Sequence, residues 1–126
     1  MNKEKTAKLF ERFPFFHPES PITESLMGFG FECGDGWFQL IWDLCLDLEK
    51  EGSVQKVVQV KEKFGTLRFY CQTSSFEAEE LIEIAEDLST NICERCGENS
   101  VLSQLENFGK ISGWISNICD KCKEKK

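Results

Sequence analysis

The chain has 126 residues, 40% of them apolar, enough for one ordinary hydrophobic core and too few for two independent ones. Its formal charge of −7 lies before residue 91: residues 1–90 carry 17 acidic and nine basic side chains, residues 91–126 five and six. That balance argues against a broad grip on nucleic acid. No apolar stretch of signal-peptide or membrane-anchor length opens the sequence, so a reducing cytoplasm is the expected compartment.

In chain order, Lys3 to Phe16 places Ala7, Leu9, Phe10 and Phe13 on one helical face, closed by Pro14 and Pro18. Residues 17–31 read as a loop punctuated by Pro18, Pro21, Gly28 and Gly30, with a short helical turn around Ile22, Leu26 and Met27. From Gly36 to Lys50, Trp37, Leu40, Ile41, Leu44, Cys45 and Leu48 recur at helical spacing; Asp35 is the expected N-cap and Gly52 the stop. The period then changes. Val54 to Val60 and Leu67 to Cys71 predict a β-hairpin turning at Lys63 to Thr66, with Val58, Val60, Leu67, Phe69 and Cys71 on the buried face. Lys61, Lys63, Arg68 and Tyr70 would then share the other face, either solvated or offered to a partner. Ser74 and Glu77 have capping-box spacing before a helix whose buried stripe is expected to be Leu81, Ile84, Ala85 and Leu88. Its outer side would carry Glu77, Glu79, Glu80, Glu83, Glu86 and Asp87. Glu79, Glu80 and Glu83 lead that face as candidates for docking a basic partner.

The strongest chemical signal follows. Cys93-x-x-Cys96-Gly97 and Cys119-x-x-Cys122 are two C-x-x-C pairs 22 residues apart. Two thiolates three residues apart hold one metal in a tight turn, and a second pair completes a tetrahedron, so the spacing reads as one structural Zn²⁺ in a ribbon-like lobe. Disulfides fit the expected compartment poorly, and a redox C-x-x-C would open a long helix, which residues 123–126 are too few to form. Cys33, Cys45 and Cys71 stand singly among apolar residues, as buried free thiols do. Trp114 and Ile118 are expected to cover the metal.

Four cysteines fill the coordination sphere of zinc and leave no position for a reactive water, so no catalytic residue is expected. The single histidine, His17, lies between Phe16 and Pro18 in a loop; Glu32, Asp35 and Glu62 would form a carboxylate site only if loop and hairpin met. Three readings result. The first is a non-enzymatic protein-interaction module using the acidic helix or the aromatic N-terminal segment. The second is a nucleic-acid-binding zinc ribbon using Lys61, Lys63, Arg68 and the lysines at 121, 123, 125 and 126. The third is a small-molecule or nucleotide binder using Asp35 and Trp37 with Arg68 and Tyr70.

The expected fold is α+β in a single domain: amphipathic helices on a small antiparallel hairpin in residues 1–90, and a four-cysteine, zinc-stapled lobe in residues 91–126. Gly34-Asp35-Gly36-Trp37, Val60-Lys61-Glu62-Lys63-Phe64-Gly65-Thr66-Leu67-Arg68-Phe69-Tyr70, the acidic helix before Cys93, and Gly113-Trp114-Ile115 before Cys119 occur in that order. Together they resemble a family of small uncharacterised proteins of bacteria and their phages. The resemblance implies a prokaryotic or phage origin, a cytoplasmic location, that of the host if phage-encoded, and a metal-bound C-terminal lobe; the closed cysteine set, the acidity and the surplus phenylalanine make a phage accessory protein that modulates a host protein the leading form of the first reading. The resemblance implies no activity.

Overall fold

The computed structural model describes residues 1–98 together with Ile118, Cys119 and Cys122. Helix α1 spans Lys3–Arg12, its first turn capped by the Asn2 side chain, which accepts from the Lys5 amide at 2.8 Å. It stops at Phe13 because Pro14 brings no N–H to continue the ladder, and Pro14–Phe16 tightens into a 3-10 turn. The turn drives Phe16 into the core, where its ring meets Phe31 edge-on at 5.1 Å; Phe13 meets Trp42 at 5.2 Å. Each such fully buried side chain contributes roughly 1.5–3 kcal/mol. Ala7 instead faces solvent.

Helix α2 spans Phe38–Glu51 and buries Ile41, Leu44, Cys45 and Leu48. Asp35 is not its N-cap. A 3-10 turn over Asp35–Trp37 precedes the helix, and the Asp35 carboxylate is engaged elsewhere, accepting from Asn2 N at 2.7 Å and Asn2 Nδ2 at 3.2 Å. Gly52 ends α2 as expected, at φ +86° with its amide bonded to Leu48 O.

Strands β1 (Lys56–Lys63) and β2 (Thr66–Gln72) pair antiparallel through a two-residue turn in which Phe64 and Gly65 both have positive φ, the combination that matches strand twist. The register breaks between Val57 and Gln59. That bulge changes the inward set on β1, so Val57 and Val60 are buried and Val58 is not, contrary to strict alternation. Leu67 and Phe69 are buried as expected, while Cys71 is only half-buried.

Both edges of this two-stranded sheet are occupied. On the β1 side, Leu26 N donates to Val58 O at 2.7 Å, Glu32 N to Val60 O at 3.0 Å and Glu62 N to Glu32 O at 3.0 Å. On the β2 side the partner is a helix, α3 (Phe76–Ser89), which begins at an N-cap Ser75 rather than Ser74. Its Ser89 Oγ accepts from Leu67 N at 2.9 Å, and its Glu86 Oε2 accepts from Phe69 N at 3.1 Å. Covering an edge with hydrogen-bonding side chains satisfies amides that would otherwise recruit another strand.

This edge contact explains why the expected stripe on α3 is rotated. The buried residues are Ala78, Ile82, Ala85 and Ser89, while Ile84 and Leu88 are 56% and 52% exposed. Glu86, expected on the open face, is half-buried against β2. The described residues form three α-helices and a two-stranded antiparallel sheet, an α+β arrangement.

Candidate metal centre

Helix α3 leads into the first cysteine pair with almost no slack: Asn91 N bonds to Leu88 O and Ile92 N to Ser89 O before Cys93 begins a turn. That turn is closed at both ends, by Gly97 N donating to Cys93 O at 2.9 Å and Cys93 N donating to Glu98 O at 2.7 Å. Gly97 sits at φ +82°, the left-handed conformation that glycine adopts without a Cβ penalty. The second pair makes its own turn, with Cys122 N bonded to Cys119 O at 3.0 Å.

The two turns face each other. Cys119 N donates to Cys93 Sγ at 3.3 Å, Cys96 Sγ lies 3.6 Å from Cys119 Sγ, and Arg95 Nη1 reaches Cys122 O at 3.4 Å. All four Sγ atoms lie within 4.8 Å of one another. Tetrahedral ligands at about 2.3 Å from a Zn²⁺ stand about 3.8 Å apart, so the cluster needs only slight contraction to enclose such an ion. All seven cysteines are free thiols.

Electrostatics separate the four from the other three. Burial pushes the Cys33 thiol up to about 12 and Cys71 up to about 11, and it raises Cys45 as well, so these remain neutral packing groups. Burial also disfavours the Cys93 thiolate, but amides of Cys119, Cys96 and Arg95 donate to its sulfur and bring it down to about 6. Cys122, desolvated and crowded by the other sulfurs, is held up to about 12.

The first knuckle rests on a cradle made by residues 34–37. Gly36 N donates to Glu94 O at 2.6 Å, Gly34 N to Glu94 Oε1 at 3.0 Å, and the Trp37 indole Nε1 to Ile92 O at 2.9 Å. A Cβ on Gly36 would lie 2.1 Å from Cys93 O and 2.6 Å from Gly97 N; one on Gly34 would lie 2.3 Å from Glu94 O. Both glycines are therefore required by backbone-to-backbone approach. Desolvation and the nearby Glu62 raise the Glu94 carboxyl, although Gly34 donates to it.

This contact places Asp35 and Trp37, the residues expected to bind a ligand, inside the support of the cysteine turn. Trp37 is fully buried with its only polar side-chain atom engaged, and the Asp35 carboxylate holds Asn2. Glycines 34 and 36 were the readable signal, since two glycines flanking one residue mark a close backbone approach.

The remaining candidates sit on the body. Lys61 pairs directly with Arg68, Lys63 with Thr66 and Gln59 with Tyr70, so Lys61, Lys63, Arg68 and Tyr70 share one face of the hairpin, as expected. Tyr70 is 42% exposed, and Arg68 Nε is buried without a hydrogen-bond partner among the described residues. On α3, Glu79, Glu80 and Glu83 are exposed. His17 lies beside Glu19 at 3.4 Å; loop and hairpin do meet, at Glu32 and Glu62, but the Glu32 carboxylate accepts from Gln59 Nε2, Glu62 from Gly65 N and Asp35 from Asn2, and among the described residues the four cysteines are the one cluster drawn together closely enough to hold a metal. Ile118 is half-buried. Trp114 and the lysines at 121, 123, 125 and 126 lie outside the described residues, as does the strand pattern that would define a zinc ribbon. Among the described residues no helix is long and apolar enough to cross a membrane. No family model, curated protein or solved structure matches the chain.

Proposed function

We propose that this chain is a non-enzymatic zinc-binding module whose metal fixes a protein-interaction surface. The observation that carries the metal reading is the convergence of four thiols within 4.8 Å from two separate turns. An all-sulfur set of four suits zinc, which is soft enough for thiolate and content with a tetrahedron, and it leaves no open position for a hydrolytic water. Cys93, Cys96, Cys119 and Cys122 would hold the ion, which supplies cross-linking rather than chemistry on a substrate.

The surface so positioned is the outer face of α3. Glu77, Glu79, Glu80, Glu83 and Asp87 are exposed and make no ion pair among the described residues, and the helix ends four residues before the first ligand. A basic protein surface is the partner that such a face complements. The resemblance to bacterial and phage proteins supports a phage accessory role toward a host protein in the cytoplasm. Affinity capture from bacterial lysate with wild-type protein and with a Glu79→Lys, Glu80→Lys, Glu83→Lys variant tests this. A partner held by the wild type and lost by the variant is expected; capture that ignores the reversal removes α3 as the docking face. Salt-dependent DNA or RNA binding that is lost on neutralising Lys61, Lys63 and Arg68 would instead favour the hairpin face.

A further inference from the structure

The four thiols differ in how far solvent reaches them. Cys93 is fully buried and Cys122 is 8% exposed, Cys119 is half-buried, and Cys96 is exposed. The exposed sulfur of Cys96 is within reach of the other three, and of these Cys119, on the opposite turn with its Sγ 3.6 Å away, is the least buried. Cys93, the other member of the first pair, is withdrawn beneath the Gly36 backbone and takes the Cys119 amide on its sulfur.

We infer that Cys96 is a peroxide-modification site with Cys119 as its resolving thiol, so that oxidation joins the two knuckles to each other and expels the metal. The inference rests on the zinc reading for its metal-release step. Peroxide reaches Cys96 first because it is the exposed sulfur. Attack of the Cys96 thiolate on one peroxide oxygen forms an S–O bond, breaks the O–O bond and releases hydroxide. The Cys119 thiolate then attacks the sulfenic sulfur, forming the S–S bond and releasing a second hydroxide. Two thiolates have lost two electrons, peroxide has gained two, and two protons from solvent convert the hydroxides to water. Cys93 and Cys122 alone cannot retain the ion, which has lost half its ligands. Closing the sulfurs from 3.6 Å to the roughly 2.05 Å of a disulfide is a small displacement for two turns no longer tied to a common ion. The bond that forms is therefore between pairs, where a dithiol redox motif would close within one.

The sequence makes the pairing readable. Trypsin cuts after Arg95, Lys110, Lys121 and Lys123, which puts Cys93, Cys96, Cys119 and Cys122 on four different peptides. Purified protein is assayed for metal, titrated with hydrogen peroxide in the presence of a chromogenic zinc chelator, blocked with a thiol reagent and mapped by non-reducing mass spectrometry. The expected result is a Cys96–Cys119 cross-link, with one zinc released for each disulfide formed and rebinding after reduction. A Cys93–Cys96 or Cys119–Cys122 product, or zinc retained while sulfinic acid accumulates on Cys96, overturns it. Protein without stoichiometric zinc at the outset refutes the metal reading alone, because the cross-link map still reports whether Cys96 and Cys119 are the reacting pair.

Discussion

The body and the first cysteine turn are held by different physics, although three residues separate them. In the body, large side chains dominate: Phe13, Phe16, Trp37, Leu48 and Leu67 are fully buried, and the stabilisation scales with the apolar area removed from water. In the turn at Cys93 to Gly97 the contacts are polar and backbone-made, through Gly34, Gly36 and the Trp37 indole, and the closure is four sulfurs. A core built from area tolerates exchanges of similar volume, whereas a cradle built from close backbone approach tolerates almost none. On the proposed reading, a metal held by the four sulfurs would clamp the end of α3.

That contrast can be broken from several directions. Replacing Cys93 with Ser should have the largest effect, since it removes a buried ligand: stoichiometric zinc should be lost and the turn should unfold, read as lost amide protection around Glu94 to Gly97 in hydrogen exchange, with the body still folded. Gly36→Ala comes next. Its Cβ would enter the space of Cys93 O and Gly97 N, both backbone, and a loss of about 2–3 kcal/mol is expected by denaturant unfolding. Trp37→Phe should cost about 1–3 kcal/mol, because it retains most of the ring but leaves Ile92 O without its donor.

Glu86 gives a smaller and pH-dependent effect. Desolvation raises its carboxyl above the usual range despite the Phe69 amide and Arg68, so the folded state binds its proton more tightly than the unfolded chain does. The corresponding stabilisation is fully present below the unfolded value and is lost as pH rises through the folded one. Glu86→Gln keeps an acceptor for Phe69 N and should flatten that part of the pH–stability curve, whereas Glu86→Leu orphans the amide and should cost about 1–3 kcal/mol at neutral pH. Glu80→Gln, on the exposed face, should change stability by no more than about 0.5 kcal/mol.

The regular elements were legible in the sequence where one period governed one face. The α2 stripe from Trp37 to Leu48 and the hairpin turn at Phe64-Gly65 are of that kind, and so are the cysteine pairs, whose sulfurs converge as their spacing predicts. What was not legible depended on a neighbour that periodicity does not name. The inward face of α3 was decided by two unpaired amides of β2, which drew Glu86 and Ser89 inward and left Ile84 and Leu88 outside. The inward set of β1 changed at a bulge after Val57, and Asp35 left the helix terminus for Asn2. The docking of Gly34 and Gly36 beneath Glu94 joins segments far apart in the sequence; the paired glycines signal a close approach, but nothing local names its partner.

Zinc K-edge X-ray absorption on protein purified without added metal is the most direct test of the central claim. One zinc per chain surrounded by four sulfur scatterers at about 2.3 Å is the expected spectrum. A shell containing nitrogen or oxygen ligands, or protein purified with no bound metal, would contradict a clamp built from Cys93, Cys96, Cys119 and Cys122.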